Sequence, residues 1–149
     1  MIVVLAVVFL GACSHDETKP VTTPSIHGEL PSAMTSNEGT VEMKTEKPSY
    51  SSSEEEITLV VHNPGPASLS FGAAYTVEKR EQDKWYEVPF KEDIAFAEMG
   101  LVLKPGDTYQ QKINVKAFAY TFTKGEYRVI KRFYAHEKEI TLAAHFTME

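Results

Sequence analysis

A single cysteine in 149 residues excludes any internal disulfide, so a fold built from this chain is held by its core alone. Charge is missing at the start, since no Asp, Glu, Lys or Arg precedes Asp16. Nowhere do Lys and Arg gather into a stripe, and the chain carries a formal net charge of -6. That balance argues against nucleic acid, whose phosphate backbone is bound by cationic neutralisation. It equally argues against a polybasic contact with an anionic membrane, so any membrane attachment needs another device. A Gly-x-Ser-x-Gly nucleophile motif is absent, as are internal repeats and any convincing helical period. Aromatic residues are not lacking. Eight Phe, seven Tyr and one Trp are enough to fill the core of one domain.

The uncharged start is also apolar throughout: Met1–Ala12 holds only apolar or small residues. As a helix it reaches roughly 18 Å, short of a hydrocarbon core about 30 Å thick. It fits the apolar region of a secretory signal. Leu10-Gly11-Ala12-Cys13 then resembles the bacterial lipobox, in which cleavage between Ala12 and Cys13 leaves a lipidated cysteine as the mature N-terminus. Small side chains admit the peptidase, the thiol carries diacylglycerol, and two acyl chains anchor stably where one is marginal. The pattern departs in one respect, because no Lys or Arg precedes the apolar run. Either the natural start lies upstream of Met1 or export is inefficient. The alternative, a buried N-terminal strand with Cys13 in the core, fits less well, because charged, turn-rich sequence follows at once.

That following stretch, Ser14–Glu38, carries Pro20, Pro24 and Pro31 with many Ser and Thr and little apolar periodicity. Such composition buries too little surface to offset ordering entropy, so residues 13–38 read as the lipidated cysteine and a flexible tether. About 24 residues of coil span roughly 27 Å on average. His15 and His27 lack ligand partners at useful spacing and read as solvated.

From Gly39 the pattern turns to period two, and 39–149 reads as one all-β domain. Thr40–Glu46 places Val41, Met43 and Thr45 on one face, and Ile57–His62 is a strong strand ended by Asn63-Pro64-Gly65-Pro66. Ala74–Arg80 and Trp85–Pro89 flank the tight loop Glu81–Lys84, with Trp85 expected over one end of the core. Lys104-Pro105-Gly106-Asp107 spells a type II turn. Thr108–Val115 alternates after it, and Phe118, Tyr120 and Phe122 follow at alternate positions. Lys124-Gly125-Glu126-Tyr127 matches a tyrosine corner, in which a buried phenol bonds back to nearby backbone. Tyr127, Val129 and Phe133 share a parity that Lys131 interrupts, which suggests a bulge or an open edge. Ile140, Leu142, Ala144 and Phe146 keep register in a last strand.

Val77–Phe96, with its Trp-Tyr-Glu-Val-Pro block, Leu103–Asp107 and Gly125–Val129 together resemble a bacterial immunoglobulin-like domain of secreted and lipid-anchored proteins in Bacillus-like Gram-positive bacteria. The resemblance covers Gly39–Glu149 and implies an antiparallel immunoglobulin-like β-sandwich of about seven to nine strands in an extracytoplasmic setting. It implies no catalytic, cofactor or metal residues.

Phe90–Gly100 reads two ways. Ile94, Phe96 and Met99 face the core, or Phe90, Ile94, Phe96 and Met99 form a partner-binding patch on an end loop. Glu54, Glu55 and Glu56 read as a solvated edge guard, and Glu92, Asp93 and Glu98 as surface charge. His62, His136 and His145 lack the short spacing of a zinc site; an offset of nine puts the last two on opposite strand faces. The expected function is a non-enzymatic binding or scaffold module, without a cofactor, lipid-anchored on the outer face of the cell membrane. Its expected partners are the membrane, through the anchor, and a protein or cell-envelope component. Two other readings stay open: an extracellular protease inhibitor using loop 89–100, and a histidine-based metal-binding protein.

Overall fold

A computed structural model describes residues 19–37 and 39–149; the expected signal segment and Cys13 lie outside the described residues. Alternating side chains build two sheets. The smaller holds β1 (Ala33–Ser36), β2 (Gly39–Thr45), β4 (Glu56–His62) and β9 (Thr108–Asn114), side by side in that order. The larger holds β3 (Ser49–Tyr50), β11 (Lys138–Met148), β10 (Gly125–Ala135), β5 (Leu69–Phe71) and β8 (Leu101–Leu103), also in that order. Along the rest of β10 lies β6 (Thr76–Glu81), with β7 (Lys84–Glu87) beyond it. Every pairing is antiparallel except the short parallel contact of β3 with β11. The described residues form eleven strands, more than the expected seven to nine, because several are only two to four residues long.

The expected periodicities become the inner faces. Val41, Met43, Ile57, Leu59, Val61 and Ile113 pack from the smaller sheet against Val77, Tyr127, Val129, Phe133, Ile140, Leu142, Ala144 and Phe146 of the larger. The connections follow local chemistry. Gly106 takes φ +83 in the Pro-Gly turn, and the Asp107 N–H donates to the Lys104 carbonyl at 3.0 Å. Gln82 and Asp83 both sit at positive φ, the geometry of a two-residue type I′ hairpin between β6 and β7. The Tyr127 hydroxyl donates to the Thr123 carbonyl at 2.7 Å and accepts from the Thr123 N–H at 3.0 Å, closing the tyrosine corner.

Two expectations are corrected. Lys131 marks neither a bulge nor an edge, because β10 and β11 pair without a slip from Gly125↔Met148 to Ala135↔Lys138. Its side chain points inward with the apolar residues and is 1% exposed. The second concerns the tether. Of the residues assigned to it, 19–37 lie on the sandwich. Val21 enters the core, Glu87 N–H donates to the Thr23 carbonyl at 2.8 Å, and Ser25 N–H donates to the Trp85 carbonyl at 2.9 Å. Farther on, the Pro31 carbonyl accepts from Ala143 N–H at 2.9 Å, and β1 pairs with β2. Low apolar content did not leave this segment loose, because its backbone carbonyls found donors on the larger sheet.

Residues 19–37 thus form a strap that runs along β7, crosses the outer face of the larger sheet and ends as an edge strand of the smaller one. A chain beginning at residue 37 should unfold at a lower urea midpoint than one beginning at residue 19, by several kcal/mol in stability. Equal midpoints would show that the strap contributes nothing.

Candidate functional site

The face under the strap is polar in sequence and buried in the fold. On β10 the residues Arg128, Ile130 and Arg132 point away from the core, beside Glu78 on β6 and Ala143 on β11. Arg128 and Glu78 are 0% and 1% exposed. The guanidinium donates from Nε to Glu78 Oε1 at 2.8 Å, and a second nitrogen lies 2.6 Å from the same oxygen. Its remaining donors reach the strap: the Gly28 carbonyl at 2.9 Å, Ser25 Oγ at 3.4 Å and the His27 carbonyl at 3.5 Å. Buried charges survive when their remaining valences are satisfied, and here the strap supplies the acceptors.

Trp85 belongs to this face and not to an end of the core. Its ring centroid lies 4.4 Å from the Arg128 guanidinium carbon, and His145 meets it edge-on at 5.5 Å. The indole N–H is buried with no hydrogen-bond partner among the described residues. Burial, and next the positive charge of Arg128, hold the His145 pKa below its usual value.

Beside the buried pair opens a groove of about 470 Å³, roofed on one side by Ile26 and His27 of the strap. Its floor and walls include Thr76, Glu87, Ile130, Arg132 and Tyr134. Lys131 underlies it from the core side. The ammonium donates to the Gly72 and Ala74 carbonyls at 2.8 and 3.0 Å and sits 5.5 Å from the Phe71 ring centroid. Among the described residues no carboxylate is paired with it, and burial pulls its pKa down to about 8.

Loop 89–100 resolves into two parts. Phe90 stacks on Phe118 at 4.5 Å and meets Tyr75 and Phe96 edge-on at 5.7 and 5.4 Å, while Lys91 N–H donates to the Ala117 carbonyl at 2.9 Å. Phe96 also contacts Tyr75 at 5.0 Å. Phe90, Ile94 and Phe96 are half-buried, whereas Met99 stays 50% exposed. The glutamates are surface charges and not an edge guard, because β4 lies between β2 and β9; Glu54, Glu55 and Glu56 pair with Lys47, Lys116 and Lys112. His62 lies 3.6 Å from Glu42, and His136 occupies the β10–β11 turn at positive φ. Among the described residues no three His, Cys, Asp or Glu side chains are placed to hold a metal, and no helix is long and apolar enough to cross a membrane.

The sequence matches the family described as a bacterial Ig-like domain over residues 37–147. The chain belongs to that family. No curated protein matches it. Among solved structures, the bacterial Ig-like chain is similar to a human CEP192 ASH/PapD-like domain at 15% identity and TM-score 0.42, covering 84% of this chain and 94% of that one. It is also similar to a β-glucosidase from Erythrobacter marinus at 13% identity and TM-score 0.37. A third is a Listeria innocua β-glucosidase in complex with laminaribiose, at 12% identity and TM-score 0.36. The chain covers 72% and 73% of its own length in these two matches, but spans only 15% and 16% of the glucosidases. The family match begins at residue 37, so most of the strap precedes it.

Sequence reasoning missed the Arg128–Glu78 pair. Its one signal was an Arg and a Glu at outward positions of two strands, which reads equally well as a solvated face.

Two outcomes follow from these contacts. Arg128→Met should lower stability by about 3–5 kcal/mol, because Glu78 stays buried without its counter-charge. Adding Glu78→Gln should recover part of that loss, read by urea unfolding of the single and double variants. For Lys131, the folded pKa lies below the unfolded one, so the unfolded chain binds more protons between about pH 8 and 10.5. Stability contributed by this group therefore rises with pH. Between pH 7 and 9.5 the parent should gain about 2 kcal/mol over Lys131→Met, and parallel pH profiles would refute the assignment.

Proposed function

We propose that this chain is an extracytoplasmic, lipid-anchored binding or scaffold module with no catalytic activity of its own. Family membership supports an immunoglobulin-like module. The anchor rests on one sequence observation, the uncharged Met1–Ala12 run delivered directly to Cys13. Sandwich domains of this kind offer faces, edges and loops for contact, whereas general acid–base catalysis needs shifted groups converging on a reacting atom. Lys131 and His145, both shifted downward by burial, do not converge. Lys131 is turned to backbone carbonyls, and His145 leans on Trp85 across the sheet.

The partner we propose beyond the membrane is a protein or cell-envelope component. A protease-inhibitor role finds less support, because Phe90 and Phe96 fasten that loop to Tyr75 and Phe118. Cys13→Ala should move the protein from the membrane fraction into the medium or leave it unprocessed. A variant that fractionates like its parent would sink the anchor.

A further inference from the structure

The strap shortens the leash. Were residues 13–38 free coil, Gly39 could stand as far as about 90 Å from a lipidated Cys13. With the strap docked, the first core side chain is Val21, only eight residues from Cys13, and its reach is at most about 28 Å. Val21 also enters at a particular place. Thr23, two residues on, accepts from Glu87 N–H, and Glu87 lines the rim of the groove under Ile26. An anchor at Cys13 therefore keeps this side of the sandwich within that reach of the bilayer.

The surface held there is the apolar one. Among the described residues the exposed large hydrophobic side chains are Ile26, Met99, Val102 and Tyr134. They gather on one part of the outer face. Tyr134 and Ile26 line the same groove. Val102 stands two strands from Tyr134 on the same face, because Ser70 pairs with both. The Met99 carbonyl lies 3.7 Å from where a Cβ on Gly72 would stand, and Gly72 lines the groove. Ile26 and Val102 are 79% and 61% exposed. Of the charges at this groove, Arg132 pairs with Glu139 at 3.4 Å, and Glu87 adds a carboxylate at the rim.

We infer that this face, carrying Ile26, Val102, Tyr134 and Met99, lies on the membrane interface with its apolar side chains in the headgroup–acyl boundary. The inference rests on the lipid-anchor reading. Contact of this kind draws on buried apolar area and on tethering, not on charge, which suits a chain of net charge -6. It should not strengthen as the anionic lipid content of the bilayer rises.

The test uses the full lipidated chain in phosphatidylcholine vesicles. Once Cys13 is acylated through its sulfur, Val102→Cys offers the one thiol for a fluorescent probe, and Lys112→Cys on the opposite sheet offers the control. Mass spectrometry first establishes the acyl chains; their absence would overturn the anchor reading, and this orientation with it. On acylated protein, a nitroxide placed in the lipid should quench the probe at 102, and aqueous iodide should reach it about fivefold less well than the probe at 112, as expected for insertion about 5–10 Å deep. Equal iodide access at the two positions on acylated protein would overturn the docking while leaving the anchor intact. Shielding of position 102 in native membranes but not in lipid vesicles would assign the face to a protein, and would overturn the docking too.

Discussion

The buried ion pair between Arg128 and Glu78 is what the outer half of this molecule depends on. Both groups sit on central strands of the larger sheet, on the side facing away from the core, where a sandwich ordinarily meets water. Left there they would be solvated. Covered without partners they would be very unfavourable. The strap resolves this by bringing carbonyls and a hydroxyl onto the guanidinium's remaining donors, while Trp85 closes its flat face. Ion pair, strap and indole are therefore one unit, since removing any of them exposes or orphans the others.

That unit shapes what the domain presents. The strap occupies the edge of β7 through Thr23 and Ser25, and its three prolines give no donors to a further strand. Beyond it, the outer face divides into a sealed polar half around Arg128 and an open apolar half around Tyr134 and Val102. The groove of about 470 Å³ lies where the two meet. Lys131 reinforces the floor by tying its ammonium to the Gly72 and Ala74 carbonyls, so an inward cation steadies a loop that would otherwise leave two acceptors over apolar ground.

Beside the groove, which Tyr75 also lines, the aromatic cluster of Tyr75, Phe90, Phe96 and Phe118 performs by packing what a disulfide performs in many secreted sandwiches. Rings in edge-on and stacked contact fasten loop 89–100 to the sheet, and the tyrosine corner at Tyr127 fastens the chain entering β10. With one cysteine in the chain, these contacts carry the load.

The sequence by itself determined the two-sheet architecture. Alternation in Val41/Met43, Ile57/Leu59/Val61 and Ile140/Leu142/Ala144/Phe146 can bury one face only as strands, and Pro-Gly and Gly-x-Tyr punctuate them in one way. These signals are local, so they are legible locally. Only the tertiary structure decided the fate of residues 19–37, of Lys131 and of the Arg128–Glu78 pair. Each depends on partners a long way off in sequence: Gly28 is one hundred residues from Arg128, and Gly72 is fifty-nine from Lys131. Composition marks a polar residue as suited to water, but whether water reaches it is settled by what the rest of the chain lays over it. That covering is made of backbone carbonyls, which every residue carries and no sequence pattern announces.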